Sequence, residues 1–392
     1  MKEGWTLNKL GEVCGFQNGF AFKSSSYTSM GTPVIRIGDI QDERIDTSKM
    51  VFINRTEYDK DLSRYEVVKG DLLIAMSGAT TGKIGFIEDD KVFLLNQRVG
   101  KFEPKNDLNK QFLFYYLNTK VEEALAISAG SAQPNLSTKQ INDFKIPIPP
   151  LPEQKRIVEI LDEAFEAIDQ AKANIEKNIQ NAEELFQSKL NEIFSQKGDG
   201  WEEKRLGDVC EYDKTRNERT DLPYVGMEDI ESNTGIFLGE LNTRTVKSST
   251  FYFSKSHLLY GRLRPYLNKV LAPNFEGHCS TEIFPIKPNE SIQRQFLFYW
   301  FIKSSTVDKI NATCTGARMP RGNMNEVLKF SISIPSIAIQ DELVLKLNAL
   351  KEATNTIIGK YSKSILQLEE LKKSILQKAF SGELTANEEL VV

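Results

Sequence analysis

Short β-branched runs set off by glycine and charged turns alternate, over the first third of the chain, with a segment of helical spacing. Residues 34–37, 72–76, 84–87 and 92–99 read as strands on that pattern. Residues 108–127 carry helical spacing and lead into a Gly/Ser/Pro loop at 128–134. Residues 144–150 read as extended, because each residue before a proline is pushed out of the helical region. Beyond Pro152 the period changes. Ile157, Leu161, Ala164, Ile168, Ala171, Ile175, Asn178, Ala182 and Leu185 recur four and three apart. Leu343, Leu347, Leu350, Thr354, Ile357, Tyr361, Ser364, Leu368 and Leu371 repeat that spacing. Both predict heptad helices that need a partner along most of their length. A helix of about 44 residues spans roughly 66 Å. Each seam is the natural partner of the other, and a bundle face within one core is the alternative.

A duplication organises the chain. Gly4-Trp5 and Leu10-Gly11-Glu12-Val13-Cys14 return as Gly200-Trp201 and Leu206-Gly207-Asp208-Val209-Cys210, 196 residues on. Gln111-Phe112-Leu113-Phe114-Tyr115-Tyr116 returns as Gln295-Phe296-Leu297-Phe298-Tyr299-Trp300, at 184. Gly130, Pro134, Phe144, Ile148, Pro149 and Gln154 return at 186, as do Leu185, Ser188, Leu190, Phe194 and Ser195. The offset drifts through the globular blocks and holds constant through the helices. Loops absorb insertions, whereas a packed helix cannot without changing face. Two copies of one mixed α/β block followed by a long helix imply residues 1–151, 152–199, 200–335 and 336–392 as the successive parts. The two-fold repeat favours antiparallel helices.

Composition then narrows the chemistry. Among 392 residues, 50 are Lys or Arg and 54 Asp or Glu. The acid excess lies mainly in 152–199, with 6 basic and 11 acidic residues, leaving 200–335 slightly basic at 18 against 16. Residues 241–275 contain no acid and six bases, namely Arg244, Lys247, Lys255, Arg262, Arg264 and Lys269. Such a stretch is either a footprint for phosphate or a solvated face. Four cysteines without CxxC spacing imply reduced thiols in a cytoplasmic protein. Two histidines argue against a His-built metal site or triad, and His278-Cys279 has no companion ligand.

Gly78-Ala79-Thr80-Thr81-Gly82-Lys83 has three residues between its glycines and Ile84 after the lysine, so it departs from a phosphate loop. It reads as a strand-turn-strand whose tip either meets a DNA phosphate or is purely structural. The aromatic runs at 112–116 and 296–300 fit a core better than base stacking, and Glu370-Leu371-Lys372 fits a solvated helix face better than a nuclease triad. Basic and amide side chains at strand ends and loops are the DNA-contact candidates: Arg262 and Arg264, then Arg318 and Arg321, and Arg36, Lys83, Arg98 and Gln133 in the first block. Ile157, Leu161, Ile168, Ile175, Leu185, Leu343, Leu347, Leu350, Ile357, Leu368 and Leu371 are the candidate helix-pairing positions. No catalytic constellation is found.

Gln133-Pro134-Asn135-Leu136, the run 144–158 with its Pro-Leu-Pro-Glu-Gln box, Gly70-Asp71-Leu72-Leu73 with Gly82-Lys83-Ile84-Gly85, and residues 376–385 together resemble specificity subunits of Type I restriction–modification systems. The resemblance covers the whole chain. It departs at Ser336-Ile337-Ala338-Ile339, where the second copy lacks the Pro-Leu-Pro-Glu box. It implies an α+β fold in which two target-recognition domains are separated by two long antiparallel helices forming a coiled coil. It also implies a non-catalytic reader of a bipartite double-stranded DNA target. Two methyltransferase subunits and translocase–endonuclease subunits would be partners, with S-adenosylmethionine, ATP and Mg only on those partners. A free-standing DNA-binding regulator using the same domains is the alternative.

Overall fold

The computed structural model describes residues 2–41, 43–120, 125, 135–196, 200–243, 246, 248–316 and 318–386. It contains two compact units, one of residues 1–174 with 364–392 and one of residues 175–363. Two helices of 45 residues, Leu151–Ser195 and Ile337–Ser381, each begin in one unit and end in the other.

In the first unit Thr6–Lys9 pairs antiparallel with Lys145–Ile148, so the proline-rich segment is extended as expected and fixes the entry to the first long helix. A six-stranded sheet runs in the order Cys14–Asn18, Val99–Pro104, Leu72–Ala75, Ile84–Phe86, Glu43–Ile45, Ile40–Gln41. A four-stranded sheet has the order Val51–Ile53, Thr32–Ile35, Phe93–Leu95, Glu66–Val67. Residues 92–99 are therefore not one strand. Phe93–Leu95 and Val99–Pro104 serve different sheets, and the break is a turn closed by Val99 N–H donating to the Asn96 carbonyl. Polar Asn96, Gln97 and Arg98 fit an alternating strand and a turn equally well, which hid the corner.

The helix expected at 108–127 is formed over Lys110–Thr119, and of residues 121–127 only Leu125 is described. Asn109 starts it by accepting from the N–H groups of Gln111 and Phe112, satisfying two donors that a helix leaves free at its first turn. Phe112, Phe114, Tyr115 and Tyr116 are buried, as are Phe296, Phe298, Tyr299 and Trp300. The aromatic runs are core.

The second unit repeats this plan. Glu202–Arg205 pairs with Ser331–Ile334, and Cys210–Tyr212, Ile283–Pro288, Leu258–Gly261 and Val270–Leu271 form one sheet. Tyr224–Val225, Gly277–Ser280 and Thr250–Phe253 form another.

The Pro-Leu-Pro-Glu-Gln box has a mechanical role. Gln154 is fully buried; its Nε2 donates to the carbonyls of Asp107 (2.8 Å) and Pro149 (2.9 Å), and its Oε1 accepts from Asn109 N–H (2.8 Å). Gln340 repeats this with Ser291, Pro335 and Gln293, the residue that caps the second aromatic helix, Arg294–Ile302. One amide thus locks the start of each long helix to the cap of the aromatic helix. Glu153 accepts from Lys2 Nζ (2.8 Å), Trp5 Nε1 (3.1 Å) and Thr385 Oγ1 (2.6 Å). Burial opposes its charge, but those donors outweigh burial and hold its carboxyl below the usual range. Gly382 has φ +86°, and a Cβ there would lie 2.6 Å from Lys2 Cβ, so residues 2–5 and 382–385 close on Glu153. The second copy has Ile339 at this place.

Within the first unit the two long helices run antiparallel. Lys172 pairs with Glu369 (2.8 Å), Lys372 with Asp169 (3.6 Å), and Glu153 with Thr385. The seam needs one correction. Ile157, Leu161, Ile168 and Leu347 are buried, and Ile175, Leu343, Leu350 and Leu368 are half-buried. Leu185, Ile357 and Leu371 are 56%, 44% and 47% exposed. At several places the seam falls one residue later than the leucine spacing suggests, at Phe165, Ile179, Phe186, Ile358 and Lys372, while at 171–172, 350–351 and 364–365 both neighbours are half-buried. Lysines conceal this phase, because their stems can cover apolar surface while the ammonium finds another partner. Lys372 Nζ sits 4.7 Å from the Phe165 ring centre and Lys351 Nζ 4.7 Å from that of Phe298. Lys372 is accordingly a seam residue, not part of a solvated face.

Candidate nucleic-acid interface

The loop end of each domain is built from the same backbone. In the first, Leu72–Ala75 and Ile84–Phe86 form the expected strand-turn-strand, with a short 3-10 turn at Gly78–Thr80. Met76 N–H donates to the Arg98 carbonyl, Leu136 N–H to the Met76 carbonyl, and Ser77 bridges to Asn135. In the second, Arg262 N–H donates to the Glu282 carbonyl, Gly322 N–H to the Arg262 carbonyl, and Leu263 bridges to Arg321. Met76, Arg98 and Asn135 therefore correspond to Arg262, Glu282 and Arg321.

This equivalence explains the glycine motif. Gly78 and Gly82 have φ of +80° and +86°; their counterparts Arg264 and Asn268 have +51° and +46°. The turn demands left-handed backbone at both places, which glycine adopts freely and an L residue adopts at a cost. The Gly78–Lys83 tip is thus shaped by backbone conformation. Lys83 is half-buried there, and its counterpart Lys269 donates to the carbonyls of Met227 (2.6 Å) and Ile230 (2.8 Å).

In the second domain Glu282 gathers two arginines. Arg321 meets it as a fork, through Nε (2.9 Å to Oε1) and Nη2 (2.8 Å). Arg262 Nε reaches its other oxygen at 3.1 Å, with the guanidinium carbon 5.2 Å from the Phe284 ring centre. Burial raises the Glu282 carboxyl, but the two guanidiniums outweigh it and the net shift is downward. Glu282 lies outside the acid-free stretch and reaches it only because Ile283–Pro288 pairs with Leu258–Gly261. Arg264 and Arg318 are exposed. Lys255 is exposed too, whereas Arg244 and Lys247 lie outside the described residues.

In the first domain Arg98 is exposed and borders a groove of about 550 Å³ with Asn18, Met76, Ser77, Asn135 and Thr138. Among the described residues the Ser77 hydroxyl, buried there, has no hydrogen-bond partner. Arg36 pairs with Asp39 (3.3 Å), whose carboxylate also accepts from Arg36 N–H. Gln133 lies outside the described residues. Arg98 and the Ser77–Asn135 bridge thus meet at one loop end, and Arg262, Arg264 and Arg321 meet at the other. Sequence reasoning missed Glu282 as a member; aligning the repeat at residue 98 would have found it.

Burial pushes the thiols of Cys14 and Cys210 up to about 12, and Cys279 is raised also. All four cysteines are free thiols. His278 is buried, with Nδ1 3.0 Å from Thr250 Oγ1, and burial lowers its pKa. Among the described residues no cluster of His, Cys, Asp and Glu could hold a metal ion, and no helix is long and apolar enough to cross a membrane.

Comparison with known proteins agrees with the duplicated plan. The Type I restriction modification DNA specificity domain matches twice, at residues 2–181 and 198–367. The chain belongs to that family: it is a non-catalytic specificity subunit with two target-recognition domains, and its role is recognition of a DNA target. It is 26% identical to the Type I restriction enzyme EcoBI specificity subunit of Escherichia coli, over 98% of this chain and 87% of that one. It is 24% identical to the EcoDI specificity subunit of the same species, over 71% of each. Its fold is like that of a chain from a structural study of assembly and conformational transition in a type I R-M system. There the TM-score is 0.77 at 18% identity, over 98% of this chain and 99% of that one. The HsdS subunit from Thermoanaerobacter tengcongensis gives 0.53 at 19% identity, over 97% and 98%.

Proposed function

We propose that each recognition domain reads one half of a split DNA sequence, that the long helices set the gap between the halves, and that they carry two methyltransferase subunits. On this reading S-adenosylmethionine binds the methyltransferase subunits, while ATP and Mg serve translocase–endonuclease subunits in a cytoplasmic complex. The supporting observation is the loop end common to both domains, where the same backbone hydrogen bonds present different side chains: Met76, Arg98 and Asn135 in one, Arg262, Glu282 and Arg321 in the other. One frame with two side-chain sets is what reading two different half-sites requires. Arg36, Lys83, Arg98 and Gln133 are candidates for the first half, and Arg262, Arg264, Arg318 and Arg321 for the second. The test is to replace residues 1–151 by the corresponding domain of another family member and map methylation by the complete system. One half of the recognised sequence should change. A change in both halves, with folding intact, would refute the two-module reading.

A further inference from the structure

We infer that Glu282 is a positioning residue that aims Arg262 at a guanine in the second half-site; this rests on the half-site reading above. Arg262 is held at two places. Its Nε donates to Glu282, and its guanidinium lies against Phe284. Among the described residues neither Nη atom has a protein partner, and the side chain is 32% exposed. An arginine held at Nε, with its guanidinium carbon over an aromatic ring, presents its remaining donors as a pre-aimed fork. The acceptor pair O6 and N7 on the major-groove edge of guanine matches such a fork.

Phosphate would accept from the same donors, but the surroundings favour a base. A phosphate contact gains from positive charge and needs little orientation. Glu282 removes positive charge, since two arginines and one carboxylate leave the cluster at a net +1. The carboxylate also orients Arg321 as a fork, which leaves Arg262 with a single bond at Nε. Placing an acid beside DNA sacrifices general affinity, and what it supplies here is geometry. The first domain has Arg98 at the Glu282 position and the uncharged Met76 and Asn135 opposite. Its corresponding trio is also +1, with the charge on a different strand end. The same frame therefore offers its cation to a different place in each domain.

The test uses the full chain in its methyltransferase complex. Binding and methylation are measured on DNAs in which each base pair of the mapped target is changed singly. Arg262→Ala should reduce discrimination at one G·C pair of the second half-site by about 5- to 150-fold, leaving the first half-site unaffected. Arg262→Lys, which has no fork, should not restore it. Glu282→Gln should lose discrimination at the same pair while binding unrelated DNA equally or more tightly. If Arg262→Ala does not fold, Arg262→Met retains contact with Phe284 and carries the same expectation. Uniform weakening on every DNA with a smaller salt slope would identify a phosphate contact and overturn the inference, as would unchanged discrimination in either variant. Exchanging residues 200–335 separates the two levels. If the exchange leaves the second half-site unaltered, the half-site reading fails; if it alters that half-site while both variants discriminate normally, only the inference does.

Discussion

Removing the Glu153 carboxylate should release the segments it ties together without unfolding either domain. Lys2, Trp5 and Thr385 donate to it over 2.6–3.1 Å, and the Glu153 side chain is only 19% exposed. Hydrogen bonds to a charged group contribute about 1.5–3 kcal/mol each, and donors left behind by a truncation regain some water. A loss of about 3 kcal/mol is therefore expected for Glu153→Ala, which raises the open population roughly 150-fold. Amide hydrogen exchange reads this directly, because local opening is measured at individual N–H groups. The reporters are Glu383 and Leu384, whose N–H groups donate to the Lys378 carbonyl, and Trp5, which donates to Lys2. The effect also has a pH signature. Because the folded pKa of Glu153 lies below its usual value, the stabilisation is complete above about pH 4.5 and is lost as pH falls through the folded value. Glu153→Gln retains Oε1 but turns an N–H₂ group toward one of three donors. It should lose part of the protection and show no step from this residue in acid. Unchanged exchange at 383–384 in Glu153→Ala would refute the clasp.

Arg264→Gly should stabilise the second domain by about 1 kcal/mol by relieving left-handed backbone, and weaken DNA binding, read by thermal unfolding and salt-dependent titration. Gln340→Leu should destabilise the second unit by about 2–4 kcal/mol, because Gln293 N–H and two carbonyls lose their buried partner; denaturant unfolding measures it. Leu185→Asp should be tolerated within about 0.5 kcal/mol and Phe186→Asp should not, a contrast visible in melting temperatures that would vanish if the leucine spacing marked the seam. Deleting one heptad from each helix, 171–177 and 357–363, spares Phe165 and Ile168 and shortens the pair by roughly 10 Å, about three base pairs of B-DNA. Binding across DNAs with graded gaps should show a shorter preferred gap or loss of specific binding, and an unchanged gap would exclude the helices as the ruler.

The duplication, the long helices, the extended proline segment and the aromatic core were legible without coordinates, because each rests on local covalent preferences or on periodicity. Gly78 and Gly82 likewise announced a turn. What the glycines were for became clear only when Arg264 and Asn268 were found in the same left-handed backbone. The Pro-Leu-Pro-Glu-Gln box was conspicuous as a string, yet its work is done across distance: Gln154 bonds residues more than forty positions away, and Glu153 bonds Lys2 and Thr385. The seam shows the same division. Spacing established that each helix buries one side, whereas the phase depended on which neighbours Phe186, Lys351 and Lys372 met. Charge was the least local property. Residues 241–275 lack any acid, but strand pairing brings Glu282 between Arg262 and Arg321. Hydrophobic period is carried by neighbours along the chain, while a carboxylate acts through space on whatever the fold sets beside it.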